Sequence, residues 1–267
     1  MLESISGSDR RPPNAFPCIL YHTPTPPLTL SLLPTPATSH PHPHVARLQL
    51  LTGVLTPSEA HTLVRSAESV GLEPDEPLGR ESASTLAHNL VWIIPATFHA
   101  GFLDRIRHLL PPTADGDGAK LVGINRRWRI YRYRPGSVYR PHIDGGWPES
   151  HIDDAESKTP KYVYDRSVAR RSAGGDTATP TMSRYTLLLY LNDGFDGGHT
   201  TFFVPSPDAE GDVHAYPVRP VVGGAALFPH GAARGSLLHE GSGVTRGAKY
   251  VVRTEVLYEI TPGAPRE

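Results

Sequence analysis

The chain has 267 residues, with 26 basic against 27 acidic side chains and a net charge of −1, a balance that excludes a general electrostatic grip on nucleic acid or an anionic membrane. Cys18 is the lone cysteine, so no internal disulfide can form. No apolar run approaches the roughly 20 residues that cross a bilayer, and the N-terminus has neither the basic start nor the apolar core of a signal peptide, so a cytoplasmic or nuclear protein is expected.

Residues 1–44 hold ten of the 28 prolines and end in His40-Pro41-His42-Pro43-His44. That composition predicts an extended or partly disordered segment. Beyond it the pattern is that of a single domain over 45–262. Arg47–Leu55 alternates weakly and predicts a strand. Thr56-Pro57-Ser58-Glu59 is a helix start: Thr56 can cap, Pro57 suits the first turn, and Glu59 completes a capping box. Ala60, Leu63, Val64 and Ala67 follow at helical spacing, and Gly71 can end the helix. A second helix is expected from about Ala96 to Leu110, with Phe102, Leu103 and Ile106 on its apolar face and Pro111-Pro112 as its stop.

After that the chain turns β-like. Trp128–Tyr133, Tyr185–Leu191, Thr200–Val204, Ala225–Phe228 and Lys249–Tyr258 are short runs rich in aromatic and β-branched residues, punctuated by Gly, Pro, Asn and Asp. The expected class is mainly β with flanking helices, a small barrel or jelly roll. Residues 147–182 form a polar stretch without periodicity, and a loop of that length inside a domain reads as a lid-like insertion.

His142 and Asp144 stand two residues apart, and i, i+2 side chains of extended chain share a face. With His239 from a distant strand they make two imidazoles and one carboxylate, a set that suits Fe(II) with open positions better than four-ligand structural zinc. His-x-Asp alone is common; the neighbouring pieces carry more information. In order these are Tyr133-Arg-Pro-Gly136, Tyr190-Leu-Asn192, Gly197-Gly-His-Thr-Thr-Phe202, His239-Glu-Gly241 and Gly247-Ala-Lys-Tyr250.

That ordered string resembles the prolyl 4-hydroxylase-like group of Fe(II)/2-oxoglutarate dioxygenases, well over about 128–258 and weakly over 47–110. The resemblance implies a double-stranded β-helix core over 121–262 behind helix and strand support over 45–120. It implies His142, Asp144 and His239 as iron ligands and as the catalytic centre. It places Lys249 and Tyr133 on the distal carboxylate of 2-oxoglutarate, with Thr186 lining the same pocket. A lysine with hydroxyl partners is sensible chemistry for a largely buried carboxylate.

Arg253, four residues after Lys249 on the same strand face, is a candidate for supporting the site or binding substrate, and Tyr139 for lining the substrate mouth. Asn192, His199 and His230 are expected in turns or at the surface. The implied activity is hydroxylation of a C–H bond with dioxygen and release of succinate and CO2, with ascorbate as reductant. A prolyl residue of a peptide or protein is the first substrate class, a small metabolite the second. No nucleic-acid or membrane partner is expected. The alternative is a non-catalytic jelly-roll or cupin-like binding module.

Overall fold

The computed structural model describes residues 28–74, 87–115, 118–153, 161–164, 181–206, 209, 211–231 and 235–259. Pairing begins inside the proline-rich segment, where β1 (Thr38–Pro41) runs antiparallel to β2 (Gln49–Thr52). The segment is expected to be extended or partly disordered; over Thr38–Pro41 it is extended and bound to the sheet. β1 is an edge strand with Pro41 at its end, a position where a missing N–H costs no ladder bond. β2 is shorter than the strand expected over Arg47–Leu55. Arg47 and Gly53, both at φ 68, take left-handed backbone and cut the extended run at each end.

Helix α1 (Pro57–Val70) starts as its sequence predicts. Thr56 accepts from the Glu59 N–H, the Glu59 carboxylate accepts from the Thr56 N–H, and Gly71 closes the other end at φ 101. Glu59 also holds Arg105 of the second helix at 2.8 Å and accepts from the Ser31 N–H at 2.7 Å, so the cap ties three segments together. Thr56→Ala is expected to cost about 1 kcal/mol of stability, read as a lower urea midpoint at an unchanged denaturant slope.

Two further strands, β3 (Glu73–Pro74) and β4 (His88–Ile93), precede α2 (Ala96–Ile106). The last expected turn of α2 is a 3-10 turn over Arg107–Leu109. Phe98 and Phe102 lie edge-on to Trp128, with ring centroids 5.7 and 5.2 Å away. With Leu63, Ala67 and Ile106 they bury one face of the main sheet.

The remaining strands are β5 (Leu121–Ile124), β6 (Arg127–Tyr133), β7 (Tyr139–His142), β8 (Ser150–Asp153), β9 (Lys161–Tyr164), β10 (Thr181–Tyr190), β11 (Asp196–Gly197) and β12 (Thr200–Pro205). They are followed by β13 (Val213–Val218), β14 (Ala225–Pro229), β15 (Leu238–Gly241), β16 (Val244–Arg246) and β17 (Lys249–Glu259). Among the described residues the main sheet runs β1-β2-β14-β10-β17-β6-β4-β3, with β5 also on β17, and a facing sheet runs β13-β12-β15-β7. All these pairs are antiparallel. This is the expected double-stranded β-helix, with helices on the outer face of the main sheet.

Period-two alternation sorts the main sheet's side chains. Leu187, Leu189, Ile130 and Val252 point to the helices, while Tyr190, Tyr131, Tyr133, Phe228 and Val251 point between the sheets and meet Phe202 and Val218 of the facing sheet. β6 is buried along its whole length. Its outward Arg132 reaches both oxygens of Glu68 on α1 at 2.9 Å. Its inward Arg127 pairs with the fully buried Glu255 at 3.4 Å and lies 4.0 Å above the Trp147 ring.

The 147–182 insertion leaves the barrel at a pinned neck. Pro148 bridges to Met182, and the Ser183 N–H donates to the Trp147 carbonyl at 2.9 Å. Within it β8 and β9 pair as a hairpin-like ladder; residues 154–160 and 165–180, which hold most of the expected lid, lie outside the described residues, as do 1–27.

Candidate active site

Strand pairing assembles the triad. β7 ends at His142, and β15 lies antiparallel beside it with His239 directly opposite. Just past the strand end Ile143 is 51 % exposed while Asp144 is buried, at 4 %. His142 Nε2 lies 3.4 Å from Asp144 Oδ1, His239 Nε2 lies 3.8 Å from Oδ2, and one ligand atom of each residue falls within 4.8 Å of the others.

The two imidazoles are oriented as ligands. His142 Nδ1 lies 2.7 Å from the Arg140 carbonyl, and His239 Nδ1 lies 3.0 Å from the Leu237 carbonyl. A carbonyl oxygen only accepts, so each Nδ1 carries a proton and each Nε2 is turned inward. Backbone anchoring of the outer nitrogen is the usual support for a metal-binding histidine. Burial, opposed by Asp144, pushes His239 down to about 4, so its ring is neutral across the physiological range. Burial works against the Asp144 charge too, but Arg253 and the two histidines hold its carboxyl well below the ordinary range. The donor set therefore fits a divalent metal: one carboxylate and two imidazoles converging on one point.

Lys249 opens β17 opposite Tyr133 and lines the same cavity as the triad. It is only 3 % exposed, its Nζ lies 5.5 Å from the Tyr133 ring centre, and no carboxylate pairs with it among the described residues. Desolvation alone pushes its ammonium down to about 7. A buried cation without an acidic partner is costly, and is the natural receptor for an anion entering the cavity. Tyr139, also on the wall, stacks obliquely 4.4 Å from the His142 ring.

Thr186 sits elsewhere than expected. It is absent from the cavity wall and instead donates its hydroxyl to Asp144 Oδ2 at 2.7 Å. On β10 the residue that reaches the cavity is Leu188, one alternation further along. Arg253 supports the same carboxylate, with Nε 3.3 Å from Oδ2 and Nη2 donating to the Gly145 carbonyl at 3.3 Å. Burial opposes its charge, and Asp144 and Glu255 more than restore it.

His230 also departs from the expectation. It is fully buried behind Asp144, not in a turn or at the surface. The missed signal was period two: Ala226 and Phe228 face the interior, and His230 continues that row. Asn192 lies in the connection after β10, donating to the Ala248 carbonyl and accepting from the Tyr250 N–H. His199 is half-buried, and its carbonyl accepts from the Ser242 N–H. No helix among the described residues is long and apolar enough to cross a membrane.

No protein-family model matches the chain, and no curated protein matches it. Solved structures do. A Pseudomonas putida prolyl-4-hydroxylase is similar at 20 % identity and TM-score 0.47, over 80 % of this chain and 94 % of that one. The viral collagen prolyl hydroxylase of Paramecium Bursaria Chlorella virus-1, in its 2-oxoglutarate complex, is similar at 17 % and 0.46, over 80 % and 97 %. A Trichoplax adhaerens prolyl hydroxylase, in complex with a hypoxia inducible factor peptide fragment, is similar at 14 % and 0.49, over 80 % and 84 %.

Proposed function

We propose that this chain is an Fe(II)- and 2-oxoglutarate-dependent dioxygenase that hydroxylates a C–H bond, with a prolyl residue of a peptide as the first substrate class. The observation that supports it most is one cavity carrying, on its wall, both a metal-ready His142/Asp144/His239 set and the buried, acid-free cation Lys249. A cupin-like metal module has a use for the first feature and none for the second. The prolyl preference follows the resemblance of the ordered motifs.

When bound, iron and 2-oxoglutarate would let dioxygen act as the oxidant, with one oxygen atom ending in succinate as CO2 leaves and the other in the hydroxylated product. His142, Asp144 and His239 would hold the metal. Lys249 would bind the distal carboxylate through a charge-assisted hydrogen bond, with the Tyr133 hydroxyl as its partner. Arg253 and Thr186 keep Asp144 ionised and aimed. Tyr131, Tyr139, Phe228 and Val251 wall the cavity and limit water near the reacting centre.

The test is succinate formation from 2-oxoglutarate with Fe(II) and ascorbate over a panel of proline-containing peptides and free metabolites, with mass spectrometry for products gaining one oxygen. Coupled turnover with a peptide supports the full reading. Turnover only with metabolites moves the substrate class, and no turnover above a His142→Ala control across the panel removes the enzyme reading.

A further inference from the structure

Behind Asp144 lies a row of buried polar groups that binding of metal and 2-oxoglutarate does not itself require. Thr186 and His230 are fully buried and Ser183 is 1 % exposed. The Trp147 N–H donates to Ser183 Oγ at 2.7 Å, Ser183 Oγ meets His230 Nε2 at 2.8 Å, His230 Nδ1 meets Thr186 Oγ1 at 2.7 Å, and Thr186 Oγ1 donates to Asp144 Oδ2 at 2.7 Å.

The proton direction follows from valence. A carboxylate only accepts, so the single hydroxyl proton of Thr186 goes to Asp144. Thr186 can then only accept from His230, which places the histidine proton on Nδ1. His230 Nε2 is left as an acceptor, so Ser183 donates to it, and the Ser183 oxygen is free to accept from Trp147. Every proton in the row points toward Asp144.

We infer that Ser183, His230 and Thr186 form a one-directional hydrogen-bond relay, anchored on the Trp147 backbone, that sets the rotation of the Asp144 carboxylate and thereby the metal affinity of the site. The relay holds Oδ2 and leaves Oδ1 toward His142 Nε2, 3.4 Å away. Two backbone bonds keep its members in place: the His230 N–H donates to the Arg184 carbonyl at 3.0 Å, and the Gly231 N–H to the Asp144 carbonyl at 2.9 Å. Charge–dipole chains of this kind polarise one another, so the terminal bond to the carboxylate is stronger than an isolated hydroxyl's. These are positioning residues: none of the three is on the cavity wall.

The inference rests on the metal reading of the triad, and the experiment separates the two. Co(II) binding is measured by titration calorimetry and by its visible ligand-field spectrum, for the full chain and for Thr186→Val, Thr186→Ser and Ser183→Ala. Valine keeps the volume of threonine and removes the relay's last donor; serine restores it. Co(II) affinity should fall by about 10- to 100-fold in Thr186→Val, the usual range for groups that orient a ligand from behind, with a changed spectrum. Thr186→Ser should return both to near wild type, and Ser183→Ala should shift both in the direction of Thr186→Val. If Thr186→Val fails to fold, Ser183→Ala carries the same test. Wild-type affinity and spectrum in the folded variants would overturn the relay while leaving the metal site standing. A wild-type chain that takes up no Co(II) would overturn both.

Discussion

His142→Ala should reduce 2-oxoglutarate turnover to the level of Fe(II) without protein and lower metal affinity by more than about 10²-fold, since even groups that only support a ligand alter affinity by ~10- to 100-fold. On the proposed reading the histidine supplies one of three metal donors, its ring oriented by the Nδ1 contact with the Arg140 carbonyl. It is also the most exposed member of the triad, at 28 % of its side chain, so the loss should come without a large change in stability. His239→Ala should show the same loss of metal together with a lower melting temperature. Its ring packs 4.7 Å from Phe228 and 5.7 Å from Phe202, and truncation leaves a void between them. Calorimetry with Mn(II), an activity assay and a thermal melt on both variants check this. Retained metal binding in both would remove the triad as the metal site.

Lys249→Met should separate co-substrate from metal. The affinity for 2-oxoglutarate is expected to fall by about 10²- to 10³-fold, the usual consequence of removing one partner of a buried, hydrogen-bonded charge pair. Metal affinity in the absence of 2-oxoglutarate should stay near wild type. The pH dependence has a definite sign. With Lys249 at about 7 in the free protein, 2-oxoglutarate binds a protonated lysine below that pH and must recruit a proton above it. Affinity should therefore be level below pH 7 and weaken as pH rises above it, a trend that Lys249→Met abolishes.

Stability runs the other way. The folded-state pKa is depressed from 10.5 to about 7, so between those values the unfolded chain binds more protons and stability rises with pH. Lys249→Met should flatten that rise and should not destabilise the free protein at pH 7, because it removes a buried cation with no acidic partner among the described residues. A large drop in melting temperature on this substitution would indicate that the lysine is tied to the fold and not held for a ligand.

Much of the candidate site was legible because its pieces are local. His142 and Asp144 are two residues apart, and extended backbone puts them on one face whatever the rest of the chain does. The helix start at Thr56–Glu59 is equally local: its capping box closes within four residues, and it is present as read. Strand cores such as Trp128–Tyr133 and Ala225–Phe228 announced themselves by aromatic and β-branched content and survive nearly unchanged.

What was misplaced depended on partners far away in sequence. Thr186 looks the same from the sequence whether it lines the pocket or supports Asp144; the β10–β17 and β10–β14 registers send it beneath the carboxylate and send Leu188 to the cavity. His230 looks like a loop residue after Pro229, yet its N–H donates to the distant Arg184 carbonyl and it continues the inward row of Ala226 and Phe228, where burial holds it at about 3 and so neutral. The β1 strand was hidden by its prolines, whose composition signals open chain unless a neighbouring edge is available to take the remaining N–H groups.

By itself the sequence determined the donor types, their order along the chain, the lysine that follows the last histidine, and the alternation that makes a β core. Only the tertiary structure decided which donors meet. Antiparallel pairing of β7 with β15 sets His239 opposite His142, and β17 against β6 sets Lys249 opposite Tyr133. The physical reason is that spacing along a strand fixes only the face on which a side chain lies, whereas the distance between strands is set by a hydrogen-bond register that the folded sheets alone define.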